Sequence, residues 1–155
     1  MRKFITFDII EFMKQLTIPS YTEKKIKKGQ FVLEKQDFPS LPFHDQAVEL
    51  ANTKGQFIGI GYLSEQNKGI GWFISHKKVT LDVSFFCQLF QCAKEKRQVY
   101  QQSEETTAYR LFNQEGDGFG GFTIDLYQDY AVFSWYNLFV YEMKETVVQA
   151  FQHVF

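Results

Sequence analysis

The sequence predicts an α+β fold: a small β-barrel, then a small α+β unit made of a helix, antiparallel strands and a second helix. Three observations predict it. Before Lys78 the apolar residues gather in short runs separated by turn residues, the texture of closely spaced strands. Just beyond it Phe86, Leu89, Phe90 and Ala93 repeat at helical spacing. From Tyr109 onward three apolar runs return to strand length before helical spacing resumes at Val140. With 155 residues the chain has the length of one ordinary domain or two small ones. We expect two parts, 1–78 and 79–155. No Ser/Gly/Pro-rich stretch separates them, so they should pack on each other.

Taken in order, Phe4-Ile5-Thr6-Phe7 begins like a strand, but Ile9, Phe12 and Leu16 repeat at helical spacing until Pro19 and Ser20 break the pattern. A lysine-rich stretch, Lys24 to Gly29, leads into Phe31-Val32-Leu33, and Pro39 and Pro42 mark a loop. Ala47–Ala51 and Phe57–Leu63 read as partner strands joined by the turn Asn52-Thr53-Lys54-Gly55, and Gly69–Ser75 as a third. Asp82 or Ser84 can cap the following helix, whose last turns carry Lys94, Lys96 and Arg97 where the helix dipole favours cations. Tyr109–Phe112, Phe122–Tyr127 and Tyr130–Trp135 read as strands, the last two joined by a two-residue turn at Gln128-Asp129. Asn137 can cap a final helix with Val140, Met143, Val147, Ala150, Phe151 and Val154 on one face. That face runs to Phe155 without a Gly or Pro stop. The pattern fits a segment of a longer protein, or a docked terminal helix that simply stops there.

Composition narrows the function classes. Hydrophobic residues make up 45%, and 18 phenylalanines give even a small fold a large buried area, so global disorder is excluded. No run approaches the length of a membrane span, and no apolar stretch of signal-peptide length precedes Asp8 and Glu11. Cys87 and Cys92 lie five apart in a helical stretch and face different ways, which argues against a disulfide or a shared metal and fits a reducing cytoplasm. His44, His76 and His153 are scattered without metal-ligand spacing. The net charge of −1 excludes a uniformly basic nucleic-acid binder, yet it hides an asymmetry. Through Arg110 there are 16 Lys and Arg against 12 Asp and Glu; beyond it there is one Lys against six acids. A surface for RNA should therefore lie in the front part.

The candidates for chemistry follow from that asymmetry. Lys24, Lys25, Lys27 and Lys28 followed by Phe31 join cations to a ring, a pairing that suits phosphate contact and base stacking; a solvated edge strand studded with lysines would look the same. Lys77 and Lys78 after Trp72 form a second such cluster. Gly116-Asp117-Gly118-Phe119-Gly120-Gly121 formally matches the dinucleotide fingerprint, but a strand follows it where a helix is required, so it reads as a tight connection. Glu115, Asp117, Asp125 and Asp129 lack a neighbouring His or Lys and read as turn and strand-end residues rather than an acid–base pair.

The stretch from Tyr109 to Tyr127 resembles a longer signature. Arg110, Glu115, Asp117, Gly121, Asp125 and Tyr127 fall on the pattern R-x-x-x-x-E-x-D-x-x-x-G-x-x-x-D-x-Y, with Gly118 directly after its first aspartate, of bacterial S-adenosylmethionine-dependent methyltransferases that modify carbon 5 of a cytosine in large-subunit ribosomal RNA. Ile26–Gln30 resembles that family's opening basic-glycine motif, Val48 to Leu63 with Gly55, Phe57, Gly59 and Gly61 its strand–Gly–strand passage, and Phe85 through Ala93 and Arg97 its helix. Gly120 stands where the family usually has Pro, and Gln30-Phe31 where a His/Glu-Pro-Trp type sequence is common. The resemblance implies a PUA-like RNA-binding domain over 1–78, a small α+β domain over 79–155, and a Rossmann-like methyltransferase domain beyond residue 155. It implies S-adenosylmethionine as cofactor of the full-length protein. This segment would hold no catalytic or cofactor-binding residue, because the cofactor loop and the proline-flanked catalytic cysteine belong to the third domain. Large-subunit ribosomal RNA is the implied partner, a membrane is not, a homodimer is compatible, and the location is cytoplasmic. The expected RNA-binding residues are Lys24, Lys25, Lys27, Lys28, Phe31, Trp72, Lys77 and Lys78. Two rivals stand beside this reading: a free-standing PUA-like RNA-binding or adaptor protein, and a nucleotide-binding enzyme using the glycine loop.

Overall fold

A computed structural model describes residues 13–67 and 69–155. The expected element at Phe4–Phe12 lies outside them. The front part is a five-stranded sheet of β1 (Lys14–Thr17), β2 (Val32–Glu34), β3 (Gln46–Ala51), β4 (Phe57–Gln66) and β5 (Gly69–Ser75), in the order β1-β3-β4-β5-β2. β1 runs parallel to β3, and the other pairs are antiparallel. The sheet is open: β1 and β2 are its two edges and do not pair with each other, which corrects the expected closed barrel. Leu16 is buried on β1, so strand geometry prevails at the end of the stretch whose spacing looked helical.

A helix, α1 (Ser20–Lys27), carries the chain between those edges. Pro19 sits at its N-cap, where its fixed φ and missing N–H do no harm. The lysine-rich stretch is therefore helical rather than an edge strand. Its 3.6-residue pattern was hidden because only Thr22 and Ile26 of the eight residues are buried.

Beyond β5 come α2 (Val83–Lys96), the short α3 (Gln98–Gln101), an antiparallel sheet of β6 (Ala108–Asn113), β7 (Phe122–Tyr127) and β8 (Tyr130–Trp135), then α4 (Leu138–Glu142) and α5 (Lys144–Val154). Asp82 caps α2 by accepting from the Phe85 N–H at 2.9 Å. Asn137 caps the next helix through Val140 N–H at 3.1 Å, as its position suggested. The single final helix expected from the sequence is two, divided at Met143. The bend lets Phe139 stack on Tyr62 of β4 while Val147 and Ala150 join the core with α2.

The first sheet is packed on both faces. One carries Leu16, Leu33, Val48, Leu50, Leu63 and Phe73, closed by Ile26 of α1 and Phe38. The other carries Ile60, Tyr62, Trp72 and Ile74, which share a core with Phe86, Phe90, Phe112 and Phe122 of the following elements. The two parts of the chain thus meet through a common apolar layer.

Candidate nucleic-acid interface

Strand register brings the two basic clusters to one end of the first sheet. Ala51 pairs with Phe57 and Ile60 with Ser75, so the turn between β3 and β4 and the segment after β5 emerge side by side. β2 runs antiparallel to β5 with Val32 opposite Trp72, and Phe31 C=O accepts from Phe73 N–H at 2.7 Å, so the chain leaving α1 returns to this same end. α1 also begins here, where Ile18 N–H donates to Ala51 C=O at 2.8 Å. Lys27, Lys28, Lys54, Lys77 and Lys78 are all exposed on these segments. Glu23 and Glu49 are the carboxylates that pair with two of them: Lys27 Nζ lies 2.7 Å from Glu23 and Lys78 Nζ 3.2 Å from Glu49. The Lys27 hydrogen bond holds the Glu23 carboxyl below its ordinary range, so Glu23 stays ionised and cancels one charge, leaving a net positive surface.

The expected RNA-binding residues divide. Lys24, Lys28 and Lys77 are exposed, and Phe31 is half-buried against the Phe73 ring at 6.5 Å between centroids. Lys25 faces the other way. Its ammonium pairs with Glu34 and, at 3.0 Å, with Asp37, and the Glu34 hydrogen bond raises its pKa. Trp72 is a correction: only 3% exposed, it lies in the shared core, stacked on Tyr62 at 5.5 Å, and offers no face to a base. Alternation along β5 turns it toward the second part of the chain. Sequence reasoning passed over Lys54 and Phe57 because neither stands in a cluster; Phe57 lies against Lys78, and Lys54 is in the turn that leads into its strand.

The motif residues form a different kind of site. Arg110 and Asp125 are paired across β6 and β7 and make a bidentate ion pair at 2.8 and 3.0 Å on the outer face of the sheet; Tyr127 lies on that face two residues on. Asp117 is buried and accepts from Arg97 at 2.8 and 2.6 Å and from Asn113 N–H at 2.7 Å, with Lys96 at 3.3 Å. Burial alone would raise its pKa, but the Arg97 and Asn113 hydrogen bonds and the charge of Arg97 outweigh that and hold the carboxyl below its ordinary range. Gly118 and Gly121 have φ of 98° and 104°, which an L side chain adopts only with strain. A Cβ at Gly121 would also collide with Tyr62, Asn137 and Val140, and one at Gly120 with the Trp72 indole. Tyr62 O–H donates to Gly120 C=O at 2.8 Å and accepts from Asn137 Nδ2 at 3.0 Å, and desolvation drives its pKa far up. The loop from Gly116 to Gly121 is therefore filled by the protein's own side chains. Between a 3-10 turn and β7, with no helix after it, it lacks the strand–loop–helix setting of the dinucleotide fingerprint.

Among the described residues no group of three or more His, Cys, Asp and Glu could hold a metal ion, and no helix is long and apolar enough to cross a membrane. Cys87 donates its thiol to Ala150 C=O at 3.6 Å, and Cys92 is exposed.

Residues 16–76 match the PUA-like domain family. The front part is a PUA-like domain. Over 89% of its length the chain is 36% identical to YwbD of Bacillus subtilis, assigned as a ribosomal RNA large-subunit methyltransferase, and it covers 36% of that protein. Ribosomal RNA large-subunit methyltransferase I of Photobacterium profundum is 32% identical over 70% of the chain, which covers 28% of it. The crystal structure of SMU.776, assigned as a methyltransferase and complexed with SAH, superposes with a TM-score of 0.89 and 51% identity over 92% of this chain and 37% of that one. The homologues are ribosomal RNA large-subunit methyltransferases, and the chain spans about a third of their length.

Proposed function

We propose that this chain is the RNA-docking portion of a cytoplasmic S-adenosylmethionine-dependent methyltransferase acting on carbon 5 of a cytosine in large-subunit ribosomal RNA. The PUA-like domain, to about Lys78, would seat the RNA, and the α+β unit after it would brace that domain through the shared core. By family resemblance, a further domain would attack cytosine carbon 6 with a thiolate, carbon 5 would take the methyl group from the sulfonium of S-adenosylmethionine, and loss of the carbon 5 proton to a base would release the thiolate. The relatives supply the enzyme class and the resemblance of the Arg110–Tyr127 stretch supplies the cytosine. The observation that carries the docking role is the convergence of Lys27, Lys28, Lys54, Lys77 and Lys78 on one end of the sheet. A free-standing adaptor is disfavoured by methyltransferase homologues that match nine-tenths of the chain.

The test is binding of this chain to an in vitro transcribed large-subunit ribosomal RNA fragment across a salt series. Replacing Lys27, Lys28 and Lys77 with Glu should weaken binding and flatten the log–log salt slope by about 0.7 to 0.9 for each phosphate that is no longer neutralised. An unchanged slope would refute the interface. Methylation of ribosomal RNA by the parent polypeptide, with the product identified as 5-methylcytosine or not, tests the chemistry separately.

A further inference from the structure

Phe57 stands where the basic end of the sheet is densest. The residue is 37% exposed and is not part of either core cluster, although its neighbours Ile58 and Ile60 are. It opens β4 opposite Ala51, next to the turn that carries Lys54. Lys78 Nζ lies 5.4 Å from its centroid and is itself 3.2 Å from Glu49, so an ammonium is held at the ring. An aromatic ring left in water contributes little to folding, whereas a ring with lysines around it combines the two contacts an unpaired nucleotide offers: a π face for the base and cations for the flanking phosphates. A duplex presents phosphates, 2′-hydroxyls and base edges but no open base face, since its bases are stacked inside.

We infer that Phe57 is a base-stacking platform, so that this end of the domain engages an unpaired stretch of RNA, with Lys54, Lys77 and Lys78 on the phosphates either side of the stacked base. This rests on the docking role proposed above and names the form of RNA it takes. It moves the stacking ring expected at Phe31 or Trp72 to Phe57, since Trp72 is buried and Phe31 half-buried.

The experiment measures binding of this chain to a single-stranded oligoribonucleotide of mixed sequence and to a blunt RNA duplex of equal length, by fluorescence anisotropy at one fixed salt concentration. Phe57→Leu, which keeps apolar bulk but removes the π face, should weaken single-strand binding about tenfold and leave duplex binding unchanged, and Phe57→Trp should restore it. The thermal unfolding midpoints of both variants should match that of the parent chain, which separates stacking from stability. Equal losses for single strand and duplex, or no loss for either, would overturn the platform while leaving the lysine contacts standing. Failure of the unaltered chain to bind either RNA would overturn the docking role itself.

Discussion

Two regions rich in glycine, aromatic rings and charge promised chemistry in the sequence, and they differ in how much of that chemistry is already used. Around Gly116–Tyr127 three of the four charged motif residues are committed, Asp117 to Arg97 and Asn113 and Arg110 to Asp125, while the buried Glu115 Oε2 has no hydrogen-bond partner among the described residues. The space beside Gly120 and Gly121 is filled by Trp72, Tyr62, Asn137 and Val140. At the basic end of the first sheet Lys28, Lys54 and Lys77 are exposed and Phe57 shows its ring to solvent. A signature can thus mark architecture, while the surface suited to a partner lies where charge and apolar area remain unspent.

If that contrast is right, damage to the first region should be read in stability and damage to the second in RNA affinity. The largest effect belongs to Gly121→Ala. It combines a left-handed backbone with collision against three side chains, and should cost about 3 kcal/mol or more in urea unfolding. Full stability of this variant would mean the loop is slack enough to admit a ligand.

Asp117→Asn comes next, at about 2 kcal/mol near neutral pH. That is below the ~3–5 kcal/mol for breaking a fully buried pair, because Arg97 keeps 16% exposure. The pH dependence has a definite sign. The folded-state pKa of Asp117 is depressed, so its contribution is complete above the ordinary carboxylate range and disappears as pH falls through the folded value. The gap between wild type and Asp117→Asn should therefore close in acid, from about pH 4 downward. A gap that persists there would show that geometry rather than charge is at stake.

A smaller loss, about 1 kcal/mol, is expected for Tyr62→Phe. The stacked ring stays, but Gly120 C=O loses its donor and Asn137 Nδ2 an acceptor. RNA affinity should be unaltered in all three variants, and a change in any of them would join the two regions functionally.

Much of the fold was legible because its signals are local. Gly69–Ser75, Phe122–Tyr127 and Tyr130–Trp135 coincide with β5, β7 and β8, and Asp82 and Asn137 cap helices, since alternation and capping need only neighbouring residues. Three features were hidden because they depend on distant parts of the chain. Whether a sheet closes depends on its edges, and here β1 and β2 remain apart. The bend at Met143 answers two surfaces, Tyr62 and α2, that the helical pattern does not show. Which face of β5 carries Trp72 to its core is decided by the second part of the chain packing there. The lysine clusters were visible as charge, but not which lysines a helix and its ion pairs would turn away.

That last distinction gives the smallest effect and the finest test. Lys25 and Lys28 are three residues apart and equally basic in the sequence, yet Lys25 lies between Glu34 and Asp37 with its side chain 14% exposed while Lys28 is open to solvent. Removing the Lys25 charge takes away a cation already neutralised by two carboxylates, so Lys25→Met should leave the RNA salt slope where it was. Lys28→Met should make it shallower by the share of one phosphate, about 0.7 to 0.9. Equal slopes for both variants would mean that the local acids do not shield Lys25, and that the interface extends over the flank of α1 facing β2 as well as the end of the sheet.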